Sequence, residues 1–347
     1  MIKYVLLFCL IALPVQAAPC FWNKGQDHCL IDYVKNQDLD DIRKSLDKGA
    51  NPNAAFETAL NTRNQAVVKL LLEYRANVEQ KTSVGGSALF YVLHHKIPLA
   101  DLLLNFGANP NALDNRGNSI LARSVLDYGD FNFARLLLKR GARINAKDKQ
   151  GETALIKAMR EKKSDKKIAF LLQNKADVKK TGLFLTALKQ NRPTEILDLL
   201  LKRGIDIEEI MEGRTALIYA CENGSPAQVS YLLKKNASVL RKGRSGKTPL
   251  MAAAYAHQPA SVLQALIAKG SKINQNDDRG RSAVMYAASH GTIGQKLETI
   301  VFLQKNGAKI SGTSKSGETL ADILRMDKKV IGDMRYWKLM KEINEDS

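Results

Sequence analysis

Apolar residues along the chain fall into short blocks that recur. One kind of block is a leucine-rich run closed by Gly-Ala or a near relative. Its copies are IRKSLDKGA (42–50), VVKLLLEYRA (67–76), ADLLLNFGA (100–108), FARLLLKRGA (133–142), IAFLLQNKA (168–176), ILDLLLKRGI (196–205), VSYLLKKNA (229–237), LQALIAKGS (263–271) and IVFLQKNGA (300–308). The closing pairs begin at 49, 75, 107, 141, 175, 204, 236, 270 and 307, in steps of 26, 32, 34, 34, 29, 32, 34 and 37. A second block follows most closing pairs: SALFYVL (87–93), TALIKAM (153–159), TALIYAC (215–221), TPLMAAA (248–254) and SAVMYAA (282–288). A glycine stands two residues upstream of the block, at 85, 117, 151, 213, 246, 280 and 317. The pattern predicts two helices per repeat. The Thr or Ser caps the first helix, and small alanines let it sit tightly between neighbours. The leucine run gives the second helix an apolar face. The glycine of Gly-Ala ends that helix in a left-handed turn, and the upstream glycine serves the following turn. One such unit cannot bury its own apolar face, so neighbours must stack.

The spacing centres on about 33 residues, and the second block resembles the G-x-T-P-L-H-x-A-A signature of the ankyrin-repeat family. The resemblance covers about residues 29–343. It implies an all-α solenoid of helix-turn-helix units with finger turns, about nine to ten repeats. Residues 18–53 are read as an N-terminal capping region and first repeat, 54–313 as ankyrin repeats, and 314–347 as a polar C-terminal capping repeat. NAAFETALN (53–61) and TGLFLTALKQN (181–191) lack the usual preceding turn, so truncated fingers are expected there. Insertions are expected near Lys162–Lys167, taken as an exposed inter-helix turn, and near Thr292–Glu298. Trp337, Leu339 and Met340 are assigned to the last repeat's core face.

The first residues change the setting. MIKYVLLFCLIALPVQAAPC has a basic start, an apolar run from Tyr4 to Leu13 and small residues at Val15 and Ala17. Residues 1–17 therefore read as a signal peptide cleaved after Ala17, too short for a bilayer span. This predicts a periplasmic or secreted bacterial protein with no transmembrane span after cleavage. In an oxidising compartment Cys20 and Cys29 are expected to pair. Cys221 reads as a small core residue. Composition is otherwise ordinary: of 347 residues 45% are hydrophobic and 25% charged, which excludes a disordered or collagenous chain. The formal charge of +18 favours anionic partners.

Enzymatic motifs are missing. Gly246-Lys247-Thr248 resembles the tail of a phosphate-binding loop, but Arg241 stands where the motif needs glycine. His94 and His95 are adjacent, and a helix would point them about 100° apart. HExxH, CxxC and GxSxG are all absent. Asp277-Asp278 and Asp38–Asp41 lack the alternating ligands of a calcium loop. No metal, cofactor or catalytic activity is expected.

In the ankyrin family partners meet the finger tips and the exposed end of the first helix. Carried over residue by residue, those slots are Ser83, Val84, Gly86, His94 and His95 in the third copy, and Lys149, Gln150, Glu152, Arg160 and Glu161 in the fifth. The seventh has Met211, Glu212, Arg214, Glu222 and Asn223. The eighth has Arg244, Ser245, Lys247, Tyr255 and Ala256, and the ninth Asp278, Arg279, Arg281, Ser289 and His290. A concave strip bearing Arg214, Arg244, Lys247, Arg279 and Arg281, with Tyr255 and His290 among them, is expected to take an acidic protein. Nucleic acid is not expected, since its recognition motifs are absent and export keeps the mature protein from cytosolic DNA. Anionic envelope lipid or polysaccharide is the better electrostatic competitor, and no membrane-binding amphipathic helix is evident. A toxin-blocking immunity role and a secreted effector acting on host proteins are the alternatives; a hydrolase on the same scaffold has least support.

Overall fold

The computed structural model describes residues 25–93, 97–179, 182–325 and 333–345. The expected signal peptide, Cys20, His94 and His95 lie outside them. Twenty α-helices run in successive pairs through the described residues, which hold no strand, only isolated bridges. The chain divides into two compact units, Met1–Lys157 and Ala158–Ser347.

In the first unit Gln26–Asn36 packs on Leu39–Asp47 and on Pro52–Thr62. Leu30, Val34, Ile42, Phe56 and Leu60 fill this core. The first truncated finger is present as expected. Gly49-Ala50 leads directly to Asn51, whose side chain accepts the Asn53 N–H as the helix cap, with Pro52 in the first turn. Ala88–Tyr91 with Ile97–Asn105, and Ile120–Leu126 with Phe131–Lys139, continue the pairing. Full fingers fold over Gly117 and Gly151, closed by the bridges Leu113–Ser119 and Lys147–Thr153.

In the second unit the pairs are Leu183–Lys189 with Thr194–Lys202, Ala216–Asn223 with Pro226–Lys234, Pro249–Tyr255 with Ala260–Ala268, Ala283–Ser289 with Ile293–Lys305, and Leu320–Arg325 with Met334–Glu345. The capping expectation holds at Thr215 and Thr248, whose hydroxyls accept the N–H groups of Ile218 and Met251, each at 3.2 Å. The closing residue is left-handed whether or not it is glycine: Lys175 has φ 69° and Asn236 φ 61°, beside Gly204 at 88°. Hydrogen bonding at the helix end therefore sets the conformation, and glycine only lowers its cost.

The two insertions resolve differently. The one after Thr292 lengthens the second helix, so that Ile293–Lys305 has 13 residues where its counterparts have 9. Lys296 and Leu297 are buried, about one helical turn ahead of Ile300 and two ahead of Leu303. The other places Lys162 and Lys163 in the connection, but Lys166 and Lys167 in the first turn of Asp165–Gln173. That connection is organised by Arg192, whose side chain is 2% exposed. Its guanidinium donates to Asp165 Oδ1 at 2.7 Å, to the Lys162 carbonyl at 3.2 Å and to the Glu161 carbonyl. In the last pair Tyr336, Leu339 and Met340 are buried, whereas Trp337 is 56% exposed, so the core face excludes it.

A second regularity ties repeats together. The residue after a closing pair donates its N–H to a side chain in the preceding repeat: Asn77 to Asn53, Asn109 to Glu79, Arg143 to Asn111, Ser238 to Glu208 and Lys309 to Asn274. Each bond satisfies a backbone donor that the loop itself leaves unpaired.

Candidate functional site

The site is built on the fingers and first helices of the second unit. The turn before each first helix requires a left-handed residue, and Gly246 (φ 74°) and Gly280 (φ 79°) supply it. A Cβ at Gly280 would stand 2.9 Å from the Lys315 nitrogen, so the fingers touch through backbone. They are joined by hydrogen bonds from Arg244 N to the Gly213 carbonyl (2.6 Å), Asp278 N to Ser245 (3.1 Å) and Lys315 N to Arg279 (2.8 Å). Four finger tips thus form one ladder.

Of the five expected cations, three are held by the protein's own carboxylates. Glu222, 11% exposed, receives Arg214 Nε and Lys247 Nζ on its two oxygens, each at 2.8 Å. Lys247 Nζ also sits 5.0 Å from the Tyr255 ring centre and 4.8 Å from that of Tyr286. Arg281 meets Asp277 Oδ2 at 3.1 Å and lies over the Tyr286 ring at 4.5 Å. The Tyr286 hydroxyl donates to the same Asp277 oxygen at 2.8 Å. Burial opposes ionisation of Asp277. The N–H of Arg281, the Tyr286 hydroxyl, the N–H of Arg279 and the Arg281 charge outweigh it, holding the carboxyl below its usual range. Burial, and then the bond to Asp277, push the Tyr286 phenol up.

Tyr255 stacks on His290 at 4.9 Å and 32° and meets the edge of Tyr286 at 6.4 Å. Beside Arg281 opens a hollow of 460 Å³ with Met285, Glu318 and Ile323 in its wall. The structure therefore brings Lys247, Tyr255, Arg281 and His290 into one cluster and joins Arg214 to it through Glu222. Arg244 and Arg279 stand exposed on the finger ladder. Arg160 is exposed at the end of Ala154–Arg160. Lys149 belongs to the first unit, where its ammonium donates to the Asn115 carbonyl at 2.8 Å.

Sequence reasoning placed Glu222 on the partner face and gave it no role. Nothing local signals that it joins two cations, one of them 25 residues away. Tyr286 was read only as part of a helix motif. Cys221 is fully buried and its thiol is pushed up by burial. Among the described residues no group of three or more His, Cys, Asp or Glu is placed to hold a metal ion. No helix among them is long and apolar enough to cross a membrane.

Paired helices, stacked repeats and ordered fingers define a helical-repeat protein, whose working part is an exposed surface. The chain belongs to the ankyrin-repeat family: the family model of three consecutive ankyrin repeats matches residues 89–182, 166–243, 183–277 and 236–314. Human ankyrin repeat and SOCS box protein 6 is 30% identical over 132 residues, 37% of this chain and 31% of that protein. The Arabidopsis thaliana E3 ubiquitin-protein ligase KEG is 27% identical over 301 residues, 80% of this chain and 18% of the ligase. Human transient receptor potential cation channel subfamily A member 1 is 28% identical over 296 residues, 78% of this chain and 23% of the channel. The chain spans less than a third of the length of each. Ankyrin repeats are protein-interaction scaffolds, and the fold is typically non-enzymatic.

Proposed function

We propose that this is a non-enzymatic scaffold of the bacterial envelope that binds an acidic protein on the finger and first-helix face of its second unit. The observation that carries the reading is the exposed pair Arg244 and Arg279 on a finger ladder fixed by backbone hydrogen bonds. Rigid tips present charge with little ordering cost on association. Arg214, Lys247 and Arg281 have partners already, so they shape the cluster on which Tyr255 and His290 rest. Lys149 and Arg160 occupy the equivalent family slots of the fifth copy. Export by residues 1–17, with cleavage after Ala17, and a Cys20–Cys29 disulfide complete the proposal. The relatives' ligase and channel activities are not carried over, because the match covers so little of those proteins.

The test is capture from envelope extract by wild type and by an Arg244→Ser/Arg279→Ser variant, which leaves the Glu222 and Asp277 pairs intact. Capture should be lost in the variant. It should also be lost for wild type at about 1 M salt, where the screening length is about 3 Å. The same protein held equally by both forms would refute this placement.

A further inference from the structure

The second unit has another charged surface, away from the fingers. It lies where the second helices end. Lys202, Lys234 and Lys305 close the helices Thr194–Lys202, Pro226–Lys234 and Ile293–Lys305, while Lys269 directly follows Ala260–Ala268. Lys272 and Lys309 follow the closing pairs of the last two of these repeats. All six are exposed, and none has a side-chain hydrogen bond or ion pair among the described residues.

They share one edge because the repeats are tied together there. Glu208 takes the Ser238 N–H, and Asn274 both accepts from Lys309 N (2.8 Å) and donates to the Gly307 carbonyl (3.0 Å). Of the carboxylates nearby, Asp198 is paired with Lys235 at 2.8 Å, accepts from the Tyr231 hydroxyl at 2.6 Å and feels the Lys202 charge. Asp206 and Glu208 accept the backbone N–H groups of Glu208 and Ser238 and keep their own charge, so the six lysines still outnumber the unpaired carboxylates.

One cation per helix end would serve the negative pole of the helix dipole. The row exceeds that, and it runs beside an apolar groove. Between Pro226–Lys234 and Ala260–Ala268 lies a groove of 630 Å³ floored by Val229, Leu233, Val262 and Ala265, with Lys234 and Lys269 on its rim.

We propose that this edge adsorbs to a membrane surface rich in anionic phospholipid, with the lysine row facing the headgroups and the groove receiving apolar lipid. Lysine suits this better than a shaped protein contact. Its ammonium is a mobile point charge that needs no fixed geometry. A line of them in successive repeats matches an extended charged plane. The groove favours a lipid over a soluble polyanion, because a polyanion has nothing to place in it.

The experiment is flotation of the full chain with vesicles of neutral phosphatidylcholine or of phosphatidylcholine mixed with phosphatidylglycerol, at low and high salt. The readout is the gain on anionic over neutral vesicles, which discounts any uptake by the apolar residues near the N-terminus. Wild type is compared with a chain carrying glutamine at the six lysines. Each lysine near such a surface is worth about fivefold in partition at low salt, so the variant should lose at least about tenfold. Circular dichroism and urea unfolding report whether the variant folds. If it does not, the salt dependence of wild type decides: salt must abolish the anionic gain. Equal uptake on both vesicles, a gain unchanged in a folded variant, or binding of soluble polyglutamate without vesicle uptake would overturn the proposal. The Arg244→Ser/Arg279→Ser variant should float like wild type, which separates this edge from the finger surface.

Discussion

Replacing Arg192 by methionine keeps much of the side-chain volume and removes every donor. In the native protein the guanidinium spans the connection between Ala154–Arg160 and Asp165–Gln173, bonding Asp165, the Lys162 and Glu161 carbonyls and Gln190 Oε1 at 2.9 Å. The losses are unequal. Asp165 is 44% exposed and rehydrates, so its share is below about 1 kcal/mol. The Glu161 carbonyl shares the single Ser164 hydroxyl proton with the closer Ala158 carbonyl, at 2.8 Å against 2.5 Å, and Lys162 lies in an exposed turn. Each carbonyl then loses about 1–1.5 kcal/mol. The methionine recovers part of this by ending the burial of a charge. The net cost should be about 2–3 kcal/mol, concentrated in this connection. Hydrogen exchange over residues 159–168 and trypsin cleavage beside Lys162 and Lys163 would read it, with urea unfolding for the whole. Asp165→Asn keeps an amide oxygen for the bond but leaves the buried Arg192 charge without its carboxylate, so it should also destabilise this connection. Unchanged protection in Arg192→Met would refute the assignment of the connection to Arg192.

Gly280→Ala should destabilise by about 2–4 kcal/mol, through left-handed strain and contact with the next finger. Gly317→Ala, at φ 81° with nothing within 4 Å, should cost only the strain of about 1–2 kcal/mol; a urea comparison isolates the finger contact. Lys175→Gly should stabilise by about 0.5–1 kcal/mol, because it relieves a left-handed lysine at the cost of unfolded-state entropy; a lower urea midpoint would contradict this. The finger carboxylates Asp114, Asp148 and Asp277 are all held below the ordinary value of 3.8. Their stabilisation is present above that pH and lost as pH falls through the lower folded values. Asp277→Asn should therefore unfold with a shallower pH dependence than wild type below about pH 4 when followed by circular dichroism.

The helices were legible because their signals are local. A leucine run, a capping threonine and a closing glycine each act within about one helical turn. Even Lys175 and Asn236, where glycine is missing, sit at the position the pattern marks. The site was legible only as a set of slots. Family geometry put Arg214, Lys247 and Arg281 on one face, but the carboxylates that hold them were not assigned. Glu222 reaches Lys247 across 25 residues, and the Tyr286 ring is shared by two cations from different fingers. Arg192 gave no signal, since a single arginine after a helix reads as surface until the fold closes over it. The ties from Asn274 to Lys309 and from Glu208 to Ser238 were missed for the same reason.

The long helix Ile293–Lys305 carries a rule about how such a chain can grow. Its four additional residues amount to about one turn of 3.6 residues, so the buried side keeps pointing inward and Ile300 and Leu303 stay where shorter repeats put Val229 and Leu232. Two additional residues would instead swing everything upstream by about 200°, turning Lys296 and Leu297 away from the core. Length in this architecture is therefore quantised. A grafted segment of three or four residues at the start of a second helix should be absorbed in register, whereas one of two should force that end of the helix to unwind.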